Sequence, residues 1–410
     1  MNQQFIKKHC EELTAILQYY KQKLEEQILP FWEPRVVDMQ YGGYFNCFDA
    51  KGELYSTVKP GWFVGRTMYT FSYLYNTYKR NPKWLEIATQ GRSFLEKAAL
   101  SNGRFCQMLA QDGTPITGAT SIFTDHFAVK GLYEYIIATG KTNPRDIEWA
   151  RQLTDQLFDH ILTPSVLQDE MIPDGMQKHA VCFMTLLVAL ESKHLFGNAY
   201  SSVLRDCIHR SLYVFANDTL QAPFEYVGTD GMPVLRGEGR LIDPGHTLES
   251  MWFAMRAGQE EGTTAYAQRA KIVIDWVLHR AWDETYGGFY QHVDVENTTP
   301  EERFLTNTYV DVPVLWDDKI WWVQAEGLYA LLMSSLENGA DDHFAYFMKL
   351  HRFVKEHFMD EEVGEWNSVC HRNGEVSDAR KGFELKGPYH VVRCHVQIVQ
   401  LLQQALQDIK

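Results

Sequence analysis

The chain has 410 residues, 45% of them hydrophobic and 22% charged, a balance that supports a large buried core and excludes disorder, collagen-like repetition and a membrane bundle. Lys and Arg number 39 against 53 Asp and Glu, so the formal charge of -14 excludes a fold-wide basic footprint for nucleic acid, and acidic membranes repel it. The cysteines (Cys10, Cys47, Cys106, Cys182, Cys207, Cys370, Cys394) are odd in number, scattered and never spaced Cys-x-x-Cys, which predicts reduced thiols rather than a disulfide framework or a cysteine zinc cage.

From the first residues the helical pattern dominates. Met1 to Tyr20 carry Lys7, Lys8, Glu11 and Glu12 and lack a continuous apolar stretch, so a cytoplasmic protein is expected. No run of 18 apolar residues predicts a spanning helix. Apolar residues at three- and four-residue intervals predict helices over Phe5 to Phe31, Val64 to Tyr78, Pro82 to Ala99, Ile122 to Ala138, Ile147 to Ile161, Lys178 to Leu195 and Tyr200 to Phe215. The pattern resumes over Thr247 to Gly258, Thr264 to Arg280, Trp321 to Leu336, His343 to Phe358 and Gly387 to Ile409.

Between helix pairs lie stretches rich in Gly, aromatics and acids, such as Tyr41-Gly42-Gly43-Tyr44-Phe45, Phe224-Glu225-Tyr226, Tyr286-Gly287-Gly288-Phe289-Tyr290 and Gly364-Glu365-Trp366. Turn signals such as Asp49-Ala50-Lys51-Gly52 and Arg372-Asn373-Gly374 follow them and predict small hairpins. Six units of two helices and a hairpin result. One such unit cannot bury its own apolar face, whereas six can close on themselves, so the expected fold is all-α: a single (α/α)6 barrel over residues 1–410 with short hairpins at one end.

Four polar clusters open helices of the inner type: Gly65-Arg66 after Trp62 and Phe63; Asp243-Pro244-Gly245-His246-Thr247-Leu248-Glu249; Lys319-Ile320-Trp321-Trp322 with Glu326; and Lys386-Gly387-Pro388-Tyr389-His390 with Arg393. Spacing three puts His246 and Glu249, and likewise His390 and Arg393, on one helix face. In a closed ring the four clusters converge on one mouth. Two histidines facing each other there suit removal and return of a proton beside a carbonyl, and an arginine suits a developing enediolate oxygen. That is epimerase or isomerase chemistry. His390 and Cys394 at spacing four lack further zinc ligands, so no metal is expected. The acids Asp125, Glu249, Asp311 and Glu326 keep an inverting glycoside hydrolase on the same toroid as a second reading, and an inert sugar-binding protein as a third.

These residues, in this order and spacing, resemble the N-acylglucosamine 2-epimerase family, whose relatives include cellobiose 2-epimerase. The likeness runs from about Phe31 to the C-terminus. It implies an (α/α)6 barrel and inversion at C2 of a small reducing sugar, with no required cofactor. His390 and His246 would exchange the C2 proton on opposite faces, Arg66 would stabilise the enediolate, and Glu249 would orient His246 and assist ring opening. Glu326 would hold sugar hydroxyls, Trp321, Trp322 and Tyr389 would stack on the sugar, and Arg393 would fix a hydroxyl or carboxylate. Lys319 and Asp125 complete the expected substrate-binding set. Relatives of the acylhexosamine branch are often dimers and some respond to ATP, so the resemblance implies a homodimer and ATP as an allosteric effector. Gly-His-Thr-Leu-Glu is like the acylhexosamine branch, while Trp-Trp-Val-Gln-Ala-Glu and Lys-Gly-Pro-Tyr-His look like the disaccharide or free-sugar branch. N-acetylglucosamine and N-acetylmannosamine are the favoured pair, ahead of free glucose or mannose or a β-linked disaccharide, epimerised or converted to a ketose. The segment Asn297 to Asp318, just before Lys319, is expected to form a lid.

Overall fold

A computed structural model describes residues 1–161, 168–296, 299–300, 306–309 and 312–407, the last two strands of the 306–315 segment partly as backbone alone. Among them, helices alternate between two kinds. Those buried on nearly every face are α2 (Gly61–Tyr73), α4 (Ile122–Ala138), α6 (His179–Phe196), α8 (Pro244–Glu261), α10 (Trp321–Asn338) and α12 (Tyr389–Gln407). Those buried along one stripe are α1 (Cys10–Lys23), α3 (Pro82–Ala98), α5 (Pro144–His160), α7 (Ser201–His209), α9 (Ala265–Ala281) and α11 (Asp341–His357). A helix apolar all round must be enclosed, and one with a single apolar stripe must lie outside it.

The even-numbered helices pack in sequence around a ring, and α12 closes back on α2. Helix α1 covers α12, so the start of the chain supplies the outer partner of its end. This is the expected (α/α)6 toroid. Helix α6 is long and apolar enough to cross a membrane by length and composition, contrary to the expectation from the sequence, but 78% of it is buried inside the ring.

The hairpin stretches do more than turn the chain. The strand entering an inner helix pairs antiparallel with a strand of the next unit: Lys59–Pro60 with Met108–Leu109, Met176–Lys178 with Tyr226–Gly228, Leu241–Ile242 with Val293–Asp294, and Lys319–Ile320 with Val369–Cys370. A bridge between Phe48 and Gly382 joins the first unit to the last. The mouth is therefore stitched around its rim.

Three Gly-aromatic stretches share one construction. The Oδ1 of Asp38, Asp283 and Asp360 accepts backbone N–H groups two and three residues on, and Gly42, Gly287 and Gly364 close the turn on the same aspartate's carbonyl. The other carboxylate oxygen takes a buried lysine: Lys59 at 2.7 Å, Lys319 at 3.1 Å and Lys381 at 2.7 Å. At Gly43 and Gly288, both at positive φ, a Cβ would overlap the rings of Phe94 and Phe353, so the second glycine of each pair is required.

Of the segment expected as a lid, Thr306–Tyr309 and Val312–Leu315 form a two-stranded antiparallel ribbon. Trp316 anchors its base, its carbonyl accepting the N–H groups of Gln291 and His292. Residues 297, 298, 301–305, 310 and 311 of that segment lie outside the described residues.

Candidate active site

Every inner helix sends its opening turns to one cavity of about 410 Å³. Arg66 comes from α2, Phe123 and Phe127 from α4, Phe183 and Met184 from α6, His246 and Glu249 from α8, Trp321 and Trp322 from α10, and His390 from α12. That volume is in the range of small-molecule sites.

Trp322 sets the distance between the two histidines. Its ring lies 5.3 Å from that of His246 and 5.8 Å from that of His390, so one indole bridges both imidazoles within a single compartment. Gly245 permits this, since a Cβ there would overlap the Trp322 ring.

The two imidazoles stand in opposite electrostatic surroundings. Asp243 is the N-cap of α8, its Oδ1 accepting the His246 backbone N–H at 2.9 Å while its Oδ2 stands 3.3 Å from His246 Nδ1. Glu225 Oε2 accepts from the same Nδ1 at 3.1 Å. Burial alone would lower the His246 pKa, but Asp243 and Glu225 together raise it to about 9. Asp243 is correspondingly held at about 2, its burial outweighed by His246 and by His292, whose Nε2 lies at 3.5 Å. His246 is therefore an imidazolium at neutral pH.

His390 is the reverse case. Burial, then the nearby Arg66 and Arg393 guanidinium groups, hold its pKa well below the ordinary histidine value. Its Nδ1 bonds Glu326 Oε1 at 2.7 Å, and the same oxygen accepts Arg393 Nη2 at 2.6 Å. Arg393 spends the charge of Glu326, so the carboxylate orients the imidazole without charging it. With Nδ1–H donating to Glu326, the lone pair of Nε2 is free for the cavity.

Arg66 lies over Phe127 at 3.9 Å from the ring centroid, with Tyr389, Trp62 and Phe63 at 4.9, 5.2 and 5.3 Å. Among the described residues it has no carboxylate partner, and its buried Nε has no hydrogen-bond acceptor. Burial lowers its pKa to about 10, which leaves it charged at neutral pH. A buried guanidinium held by aromatic faces and facing a cavity suits an anionic oxygen.

The structure reassigns several of the expected site residues. Glu249 lines the cavity, yet its Oε1 accepts Arg393 Nη2 at 2.5 Å, and the orienting of His246 belongs to Asp243 and Glu225. Glu326 holds His390, Arg393 and the indole N–H of Trp252 at 2.8 Å; it lies behind the cavity wall rather than on it. Arg393, 1% exposed, clamps the two glutamates and does not reach the cavity. Tyr389, expected to stack on the sugar, is fully buried, its Oη accepts from Lys130 and Arg393, each at 2.6 Å, and it does not line the cavity. Lys319 is the strut of Asp283, as Lys59 is of Asp38, and burial lowers its pKa to about 8. Asp125 takes Arg104 Nε at 2.7 Å and the Phe105 N–H at 2.7 Å, facing away from the cavity; burial raises its pKa to about 6 against the pull of Arg104. Trp321 and Trp322, expected to stack on the sugar, line the cavity.

Sequence reasoning missed Glu225, Asp243 as a partner of His246, Trp252, Lys130 and the aromatic wall of Phe123, Phe127 and Phe183. The N-cap position of Asp243, three residues before His246, was the one signal available in the sequence. Glu249, Glu326 and His390 bring carboxylate and imidazole atoms within 4.8 Å of one another, a metal-like set. Arg393 Nη2 already sits between the two carboxylates, so their cation is a guanidinium.

The profile of the family described as N-acylglucosamine 2-epimerase (GlcNAc 2-epimerase) matches residues 43–394. The chain belongs to that family. N-acylglucosamine 2-epimerase of Mus musculus is 27% identical over 98% of this chain and 96% of its own length. Cellobiose 2-epimerase of Bacteroides fragilis is 25% identical over 94% of this chain and 100% of its own. Among solved structures, a sugar epimerase from a ruminal bacterium superposes with a TM-score of 0.79 at 18% identity, covering 94% of this chain and 98% of the other. An α-1,6-mannanase of Salegentibacter follows the same course at a TM-score of 0.56 and 11% identity, over 94% and 99% of the chains, a likeness of fold alone. Within the N-acylglucosamine 2-epimerase family, then, this chain presents its histidine pair with one ring charged and one neutral.

Proposed function

We propose that this carbohydrate epimerase interconverts N-acetylglucosamine and N-acetylmannosamine at C2. The observation that carries the reading is the pair of unequal imidazoles against one indole, next to the Arg66 guanidinium, which has no carboxylate partner among the described residues. The favoured relatives bear the name N-acylglucosamine 2-epimerase and match this chain nearly end to end.

The pyranose first opens, since only the aldehyde makes the C2 hydrogen acidic. Neutral His390 takes that proton on Nε2, and the electron pair passes into the C1 carbonyl to give a C1–C2 enolate that keeps the acetamido group on C2, the counterpart of the enediolate a free aldose would form. Its oxygen faces Arg66, whose charge is unspent and desolvated, where electrostatic stabilisation is strongest. Rotation about the C2–C3 bond exposes the other face, and the His246 imidazolium delivers a proton to C2. The reverse direction exchanges the roles. Environments that drive two titratable groups apart assign base and acid in this way. The steps draw on side chains alone, and an ATP effector or a homodimer rests on family likeness without an assigned residue.

The hydrolase reading fits poorly. An inverting pair stands about 6.5 to 9.5 Å apart, whereas Glu249 and Glu326 share one arginine nitrogen. Asp125 faces elsewhere, and Asp311 lies outside the described residues. Product chromatography on a panel of N-acetylglucosamine, N-acetylmannosamine, glucose, mannose and a β-linked disaccharide tests the substrate. Turnover of the N-acetyl sugars at least about tenfold faster than the rest is expected, and a free sugar or disaccharide turned over faster would refute the substrate assignment.

A further inference from the structure

Lys130 lies on α4, which lends the cavity only aromatic side chains. It is 1% exposed and does not line the cavity. Its Nζ donates to Tyr389 Oη at 2.6 Å and stands 3.8 Å above the centroid of the Tyr69 ring. The nearest carboxylate, Glu191, is 3.8 Å away and is shared with Arg256 at 3.5 Å. Burial lowers the Lys130 pKa to about 7, so it is an ammonium on the acid side of neutrality, and the charged groups around it are Glu191 and Arg256, then Glu249, Arg393 and Glu134. A buried charge so incompletely paired is costly unless it serves something else.

What it touches supplies the purpose. Tyr389 Oη also accepts Arg393 Nη1 at 2.6 Å, Arg393 Nη2 donates to Glu326 Oε1, and that oxygen holds His390 Nδ1. An unbroken chain of hydrogen bonds thus runs from Lys130 to the imidazole. We propose that Lys130 is a positioning residue for the proton transfer, fixing the His390 ring through Tyr389, Arg393 and Glu326 and opposing a resident positive charge on it. The inference rests on the epimerase reading of the same site.

The sign is definite. The groups facing His390 are Arg66 from α2, Lys130 from α4, Glu249 from α8, Glu326 from α10 and Arg393 from its own helix. Of these, Lys130, Arg66 and Arg393 disfavour an imidazolium. Removing the Lys130 ammonium eases protonation of His390, so the acid limb of kcat/KM moves to higher pH. The alkaline limb belongs to His246 with Asp243, Glu225 and His292 and stays in place.

The experiment compares wild type, Lys130→Met, Lys130→Gln and Lys130→Arg in epimerisation of N-acetylmannosamine across pH, with circular dichroism to verify folding. The neutral variants are expected to lower kcat about tenfold with KM within about twofold, the signature of misplaced rather than lost contacts. Their acid limb moves up while Lys130→Arg keeps the wild-type limb. A folded neutral variant with the wild-type acid limb overturns the proposal. If neither neutral variant folds, Tyr389→Phe cuts the same chain at its middle, and an unchanged kcat in it overturns the proposal equally. A wild-type protein that does not epimerise the sugar refutes the underlying reading instead, so the two failures are distinct.

Discussion

At the scale of single residues, the site turns on one difference: His246 is flanked by two carboxylates, whereas the one carboxylate bonded to His390 is shared with Arg393, and Arg66 stands nearby. The same side chain becomes acid in one place and base in the other. Asp243 is the simplest lever on this difference. Asp243→Asn keeps an N-cap acceptor for α8 but removes a charge that raises the His246 pKa. The sign follows from loss of a stabilising anion: His246 gives up its proton at lower pH. The alkaline limb of kcat/KM, expected near 9 in the wild type, should move towards neutrality in Asp243→Asn, with the acid limb unmoved. An unmoved alkaline limb would show that some group other than His246 governs it. The histidines and Arg66 were legible in the sequence because they open helices in an unusual polar context. Their partners were not. Spacing three puts Glu249 on the His246 face, but the carboxylates that reach Nδ1 come from the N-cap and from Glu225 in the bend between strands Ala222–Pro223 and Tyr226–Gly228, which no helical period reveals.

At the scale of elements, the first turns of the inner helices carry the chemistry, and their placement depends on close backbone contacts and buried struts. Helices α2 and α4 meet at Gly65 and Gly131, where an added Cβ would overlap the Phe127 carbonyl and the Gly65 carbonyl respectively. Gly65→Ala should push α2 from α4 and displace Arg66, the next residue, lowering kcat by about a hundredfold, the scale of a 1 Å misplacement. Activity within twofold of wild type would mean that the helices have slack. Lys319 makes the opposite prediction. Lys319→Met strands the buried Asp283, held otherwise by Arg372 Nε at 2.8 Å. The cost should be about 3–5 kcal/mol in denaturant unfolding, with kcat of the folded protein within about twofold. A loss of kcat without loss of stability would restore Lys319 to the site. Its position beside Trp321 and Trp322 made it look functional in the sequence. The repeat of lysine on aspartate at Lys59 and Lys381 identifies it as structural, and that repeat becomes visible only once the turns are aligned in space.

Over the whole molecule, the alternation of enclosed and one-faced helices dictates a ring, and the sequence displays that alternation in nearly every segment. The predicted helix ranges coincide with the observed ones to within a turn at most ends, because burial on all faces and burial on one leave different periodicities. Closure itself was inferred from the six-fold count of units. The rim strands that stitch each unit to the next were not foreseen, since two- to four-residue strands carry no periodicity of their own. Closure is what gives the site its character. It brings α12 beside α2, and with them His390 beside Arg66, from opposite ends of the chain.

The central claim is that one imidazole lifts the C2 hydrogen and the other returns a solvent-derived proton. Incubating the protein with N-acetylmannosamine in deuterated water and following C2 by NMR tests it directly. Deuterium should enter C2 of the product as epimerisation proceeds, and His390→Asn should suppress that incorporation by about 10² to 10⁴-fold. Epimerisation with the original hydrogen fully retained at C2, or undiminished exchange in a folded His390→Asn, would contradict it.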